Sequence, residues 1–503
     1  MASAYITGMI LLPQALWAKA YEGQNDDFPY AITQTQDGGC AVAGYTNSFG
    51  AGGKDFLVLK LSPLGDLVWA KAYGGGNDEM AYSITQTADG GFVVAGETYT
   101  YGAGAPDFLV IRLNPDGSLS WARTFGGASV DQPFSIIQTQ DGGFAVAGAG
   151  VFSGYGWDFL IIKLASNGSL EWVETYGGAS MDVANSIIQT QSQEFYVAGW
   201  TWSFGVFGTT LFVLKLAPDG SLIWAKVFDW MFPVSMTLAQ DGGCVIASSF
   251  MGGVGAMDVS AIKLAPDGSV DWVTAFGETN LESANSITHC YDGSYGVAGI
   301  TESFGAGALD FFIFKLASDG SLVWTRTFGG SARDTALAIA QLQDGDYAIA
   351  GYTESFTPGD RDVFVLKLSP DGYYPDCVQP CSPTLTTLSL NPFTPAVIND
   401  YCPINTSIPP IAVSTQLLTT TQICATIDAE ELSDNTKSDD IKCTSAPGSL
   451  VFLAQDEVEI RLYSPDGRLV RACLLRPGEN RINLGTGVYI WTSGKHEGKA
   501  IVR

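Results

Sequence analysis

Two sets of acidic residues recur at nearly constant spacing, and their type and register make them the first candidates for chemistry. One set comprises Asp55, Asp107, Asp158, Asp258, Asp310 and Asp362, with Thr210 in the remaining copy. The other comprises Asp26, Asp78, Asp131, Asp182, Glu282 and Asp334. Carboxylates gathered across loops can hold a hard cation, so Asp26, Asp78, Asp131, Asp182 and Asp334 are the candidate metal ligands and calcium the candidate ion. The plainer expectation is that such acids accept bonds from loop N–H groups. No other cofactor is implied. Nucleophilic catalysis needs a histidine beside a nucleophile and an orienting acid. The chain has 2 histidines, and only His289, which replaces a repeated glutamine, is placed to serve. Nothing around it completes the arrangement, so no catalytic residue is assigned and no enzyme is expected. Lys60, Arg112, Lys163, Lys215, Lys263, Lys315 and Lys367 also recur in one frame and are expected to form ion pairs at a strand end.

Of the 9 cysteines, Cys40 and Cys244 stand where other copies carry Phe92 and Phe144, which reads as core. Cys377, Cys381, Cys402, Cys424 and Cys443 fall in a segment rich in Thr, Ser and Pro. They have neither the paired Cys-x-x-Cys spacing nor a nearby histidine for zinc, and are candidate disulfide cysteines of an exported protein. Asn167 and Asn405 fit the N-glycosylation pattern. The formal net charge is −27 over 503 residues. That excludes a phosphate-neutralising nucleic-acid surface and disfavours anionic lipid. The acidity stops near residue 448, which marks a boundary. No run of apolar residues is long enough to span a membrane. The first 16 residues, MASAYITGMILLPQAL, lack the basic start of a signal peptide.

What positions these groups is a repeat. Trp17, Trp69, Trp121, Trp172, Trp224, Trp272 and Trp324 return at spacings of 52, 52, 51, 52, 48 and 52. Each copy holds four short runs rich in Val, Ile, Leu, Phe and Thr, separated by Asp-Gly turns such as Asp89-Gly90 and Asp141-Gly142. These are strand and hairpin signals, and no segment has helical periodicity. Repeats of this length in four-stranded meanders predict a propeller, whose closure removes sheet edges. The expected fold is all-β: a seven-bladed β-propeller of four-stranded antiparallel blades over 1–372, then a Cys/Thr/Pro-rich linker (373–448) and a small C-terminal β-sandwich (449–503). No tryptophan strand follows Asp362–Leu368, so Leu16–Tyr21 is expected to complete the last blade. The fifth copy is irregular, with Asp229-Trp230 for Gly-Gly and Ser248-Ser249 for Ala-Gly.

The segment Gly329–Phe356, GGSARDTALAIAQLQDGDYAIAGYTESF, resembles the bacterial SBBP-type β-propeller repeat, and the likeness covers residues 17–372. The C-terminal segment resembles the sorting domain of the type IX secretion system through Tyr463, Gly467, Arg468, Val470, Gly478, Ile482, Leu484, Gly487, Val488, Tyr489 and the basic tail. That resemblance implies export to the cell surface or medium.

The loops joining second to third strands vary most and are rich in aromatics. Tyr99, Tyr101, Tyr155, Trp157, Trp200 and Trp202 are therefore the candidate binding residues, as an interface or a sugar-stacking platform. The expected function is that of an exported, surface-associated, non-enzymatic scaffold. Its expected partners are further copies of itself, the cell envelope or an extracellular molecule. Strand-like stretches of 382–427 have no obvious partner inside the ring, so adding a strand to a neighbouring subunit is one route to a layer or filament. A carbohydrate-binding adhesin is the alternative, and a hydrolase on a propeller scaffold the third reading.

Overall fold

The computed structural model describes residues 16–374 apart from 105, 152–155, 206–208, 252–256 and 357–360. Beyond 374 it describes the backbone of the strands. The chain divides into two compact units, Met1–Ile423 and Cys424–Arg503.

The first unit is a seven-bladed ring of antiparallel sheets. Blade 1 consists of β2 (Asp27–Gln34), β3 (Cys40–Thr46), β4 (Asp55–Leu61) and β5 (Leu67–Gly74), in that order from the axis outward. Blades 2 to 6, built from β6 to β25, repeat the pattern over 79–126, 131–176, 182–228, 231–277 and 282–328. Blade 7 has β26 (Asp334–Gln341), β27 (Tyr347–Thr353) and β28 (Asp362–Leu368), and its outer strand is β1 (Ala18–Glu22) from the other end of the chain. Second and third strands are buried along nearly their whole length because neighbouring blades cover both faces, which is why they read as continuous apolar runs. The outer strand alternates between exposed and buried positions. The irregular fifth copy keeps the common register, and the Ser248 and Ser260 hydroxyls pair at 2.7 Å inside it.

The repeated tryptophan clasps one blade to the next. Gly65 in the turn of blade 1 has φ 73°, and a Cβ there would sit 2.5 Å from the Trp17 ring of blade 7. The turn needs a left-handed residue and the ring needs its bare surface, so glycine serves both. Trp17 Nε1 donates to Pro63 O at 3.1 Å and the Tyr21 hydroxyl to Gly65 O at 2.6 Å. Trp69, Trp121, Trp172, Trp224, Trp272 and Trp324 cover Gly117, Gly168, Gly220, Gly268, Gly320 and Gly372 in the same way. Each inner strand also carries a bulge, and in blades 3, 4, 6 and 7 a backbone N–H just beyond it reaches a serine of the blade before, as from Ile136 to Ser83 Oγ at 3.1 Å.

Short pieces of the segment expected to lack a ring partner have one. β29 (Gln379–Pro380) pairs with the outer strand of blade 6, and β30 (Thr384–Thr386) with that of blade 5. β31 (Asn405–Ser407) pairs with blade 2, β32 (Ala412–Thr415) with blade 1, and β33 (Thr419–Ile423) with β1. The chain thus runs backwards around its own ring as a belt. Each of these strands pairs in cis along one edge and becomes the outer edge strand of its sheet; residues 387–404 of the same stretch lie outside the described residues.

The second unit holds β34 (Ile441–Ala446), β35 (Ser449–Ala454) and β38 (Gly478–Asn483) in one antiparallel sheet. β36 (Val458–Tyr463), β37 (Leu469–Leu475), β39 (Gly487–Thr492) and β40 (Glu497–Val502) form another.

Candidate functional site

The two acid sets meet at the junctions between blades, on the face that carries the variable loops. The buried acids that open the inner strands are Asp27, Glu79, Asp131, Asp182, Glu282 and Asp334. In the first two copies the sequence reading was one residue early. Asp26 and Asp78 are only half-buried and accept the backbone N–H groups of Arg361 and Lys54, both at 3.0 Å. Each buried acid is tied to its own loop. Asp131 accepts Gly127 N at 2.7 Å, Glu79 accepts Gly75 N at 2.6 Å and the Thr98 hydroxyl at 2.8 Å, and Ser203 donates to Asp182 at 2.6 Å. Ser355 donates to Asp334 at 2.6 Å. Facing them are the acids that open the third strands: Asp107 accepts Ala103 N at 2.8 Å and Asp55 accepts Ala51 N at 2.9 Å.

A glycine at or just after the end of the outer strand, at Gly74, Gly126, Gly177, Gly277 and Gly329, lets the two carboxyls approach. A Cβ at Gly126 would lie 1.9 Å from Asp107 Oδ1 and 2.7 Å from Asp131 Oδ2. The Oδ1 atoms of Asp107 and Asp131 are buried without a partner. Burial, reinforced by the neighbouring Asp107, pushes Asp131 up to about 7, and burial first of all raises Asp27 and Asp55 to about 6. Among the described residues, no three or more His, Cys, Asp or Glu side chains come together as a cation site. The candidate ligands Asp26, Asp78, Asp131, Asp182 and Asp334 lie one to a junction and do not converge. At the junction of blades 4 and 5, Thr210 and Met231 stand in for the acids.

The repeated cations sit at the opposite end of the blades, paired with turn acids. Lys60 meets Asp37 at 2.9 Å, Lys315 meets Asp292 at 2.7 Å, and Lys367 meets Asp344 and Asp346 at 2.7 and 3.1 Å. Cys40, Cys244 and Cys290 are buried thiols, and burial raises the pKa of all three, Cys40 to about 12. None is a thiolate near neutrality. Cys377, Cys381, Cys402 and Cys424 lie outside the described residues, and Cys443 is described only as backbone in β34. Asn167 is an exposed turn residue whose Oδ1 accepts Ser169 N at 2.9 Å, and Asn405 opens β31.

The structure distributes the predicted aromatics unevenly. Tyr99 is exposed, whereas the Tyr101 hydroxyl is tied to Gly74 O at 3.0 Å. Trp157 is half-buried, and Tyr155 lies outside the described residues. Trp200 and Trp202 pack together with centroids 5.6 Å apart; Trp202 is 53% exposed and donates to Thr209 Oγ1 at 2.7 Å.

A larger aromatic group escaped the sequence reading. Phe28 lies 4.7 Å from Tyr352 of blade 7 and 5.0 Å from Tyr30. Tyr30 lies 5.0 Å from Tyr82 of blade 2, which lies 5.6 Å from Phe134 of blade 3. Tyr45 stacks on Phe28 at 5.6 Å and carries the Lys54 ammonium 4.4 Å above its ring. This arc of half-buried rings crosses four blades, and the buried Glu97 anchors it by accepting the Tyr82 hydroxyl at 2.8 Å and Gln132 Nε2 at 2.5 Å. The available signal was variation between copies. Asn185 and Asn285 stand where Tyr30, Tyr82 and Phe134 stand elsewhere.

A family model described as a domain of unknown function with β-propeller fold (DUF5122) matches residues 87–119, one hairpin of blade 2 and its flanks. The search of curated proteins gives no match. Among solved structures, Sqt1 from Chaetomium thermophilum is similar at 10% identity and a TM-score of 0.39, covering 71% of this chain and 100% of that one. The polysaccharide lyase Uly1 is similar at 8% identity and 0.42, covering 68% and 89%. PorZ, a surface component of the type IX secretion system of Porphyromonas gingivalis, is similar at 13% identity and 0.38, covering 96% of this chain and 60% of that one.

Proposed function

We propose that this protein is an exported, surface-associated, non-enzymatic scaffold that recognises its partner through the aromatic face of the ring. The observation that carries this reading is how the two kinds of side chain are used. The repeated acids are bonded to loop groups at the blade junctions and the repeated cations to turn acids of their own blades, whereas the aromatics break the repeat and gather on one face. Rings fixed by neighbours offer large apolar area at little entropic cost, which suits a binding surface. Residues 449–503 act in this reading as a small sandwich that directs export. In this reading, assembly into a layer or filament proceeds through faces of the ring. Light scattering and electron microscopy of the intact chain, with and without calcium, test this. Concentration-dependent particles that shrink in Trp202→Ala are the expected result. A strict monomer under all conditions counts against assembly and leaves a separate partner as the occupant. The exposed Trp202, packed on the half-buried Trp200, favours a second reading, a carbohydrate-binding adhesin. A glycan array on which neither wild type nor a Trp200/Trp202 alanine variant binds removes it.

A further inference from the structure

The end of the ring opposite the aromatic face carries two cavities. One, of about 690 Å³, is the mouth of the axial channel, with Gln34, Gln86, Gln138 and Gln189 in its wall. Each ring glutamine caps a turn of the blade before it. Oε1 of Gln86 accepts Gln36 N at 2.8 Å, Gln138 accepts Ala88 N at 2.8 Å, Gln189 accepts Gln140 N at 2.9 Å, and Gln341 accepts Tyr291 N at 2.7 Å. Two adjacent copies lack that glutamine. Leu238 and His289 stand in its place, so no ring glutamine is available to cap the turns of Gln191 and Gln240.

A second cavity, of about 660 Å³, opens at that spot. Other departures from the repeat gather around it. The turn of blade 4 reads Gln191-Ser192-Gln193-Glu194, where the next copy has Gln240-Asp241-Gly242-Gly243. Gln193 therefore holds a left-handed φ of 67° without being glycine. A side chain with a Cβ is strained there, and such strain gathers at functional sites. His289 has its Nε2 buried with no hydrogen-bond partner, and burial lowers its pKa, so the imidazole is neutral. The charges in the wall are already matched. Lys215 pairs with Glu194 at 2.9 Å, and Asp241 pairs with Lys263.

From this neutral, amide-rich wall we infer that the cavity binds a small uncharged polyhydroxylated molecule of the mono- or disaccharide class. Paired charges give a phosphate or a cation nothing to neutralise. Gln191, Gln240 and Ser192 supply donors and acceptors, while Leu238, Pro266 and the His289 ring complete the lining with carbon surface for a C–H face. The volume lies within the usual range of small-ligand sites. This site is independent of the aromatic face.

The test is saturation-transfer NMR of the intact chain with a panel of glucose, galactose, N-acetylglucosamine, maltose and cellobiose, on the order of 10 mM each. Imidazole resonances are followed in parallel, which is practical with only 2 histidines in the chain. The comparison is the double variant Leu238→Gln/His289→Gln, which restores the repeat residue at both places and is expected to fold at least as stably. At least one sugar should bind wild type, shift the His289 resonances, and bind the double variant about tenfold more weakly or worse. Absence of binding by every sugar overturns the inference. Binding that persists in the double variant overturns it too, and a loss confined to Trp202→Ala would assign the sugar to the aromatic face.

Discussion

The glycine that closes the outer strand in five of the blades is small because two carboxyls occupy the space a side chain would need. At Gly126 the added methyl of alanine would collide with Asp107 and Asp131, whereas a Cβ at Gly76, two residues beyond the equivalent glycine of blade 1, meets nothing within 4 Å. Gly126→Ala is therefore expected to cost about 1–3 kcal/mol in urea unfolding, as overpacking typically does. Gly76→Ala should leave the midpoint unchanged, and equal effects would discount the contact. The clasping tryptophans belong to the same scale. Trp17 is 3% exposed and closes blade 7 onto blade 1, so Trp17→Ala should cost about 3 kcal/mol. The repeat exposed these tryptophans and turn glycines directly in the sequence. The acid register was harder to read, because Asp26-Asp27 and Asp78-Glu79 each offer two carboxylates and only burial distinguishes them.

Between residues and ring lie the strands that close it. The missing eighth tryptophan strand is a gap in the sequence, and β1 fills it by pairing Ala18 with Leu366 and Tyr21 with Val363. The belt was not legible in the same way. Its strands are two to five residues long, carry little apolar alternation, and find partners on sheet edges from tens to hundreds of residues away. Local pattern cannot report such pairings, since their hydrogen bonds use backbone groups alone. β33 locks β1 from outside, so β1 is held between two strands. A chain ending at residue 374 should lose that lock and bare the outer edges of five blades. The expected outcome is a lower urea midpoint and self-association by light scattering. Unchanged stability and a monodisperse monomer would show that the belt adds nothing to closure.

At the scale of the whole ring, the distribution of buried carboxyls sets a pH dependence. Asp27 and Asp55 have folded pKa values raised to about 6 and Asp131 to about 7, with Asp107, Asp182 and Asp310 also raised, in every case chiefly by burial. An acid whose folded pKa exceeds its unfolded value binds its proton more readily in the native state. Its ionisation therefore opposes the fold, and the native state gains stability as pH falls from about 7 toward 4. The turn acids act in the other direction. Burial works against Asp141 and Asp292, but bonds from Lys163 and Thr139 to the first, and from Lys315 and Ser294 to the second, outweigh it and hold both near about 2. Their contribution is present above the unfolded carboxyl value and is lost as pH drops from about 4 toward 2. The two groups together place maximal stability on the acid side of neutrality, about pH 4–6. Thermal unfolding followed across pH 2–9 should show a midpoint that rises on acidification from pH 8, peaks in that window and falls below it. Replacing the Asp107/Asp131 pair by Asn should flatten the alkaline limb while leaving the acid limb in place. A midpoint that climbs steadily toward pH 8 would mean that these carboxyls are ionised without penalty and that the junctions are more hydrated than their burial implies.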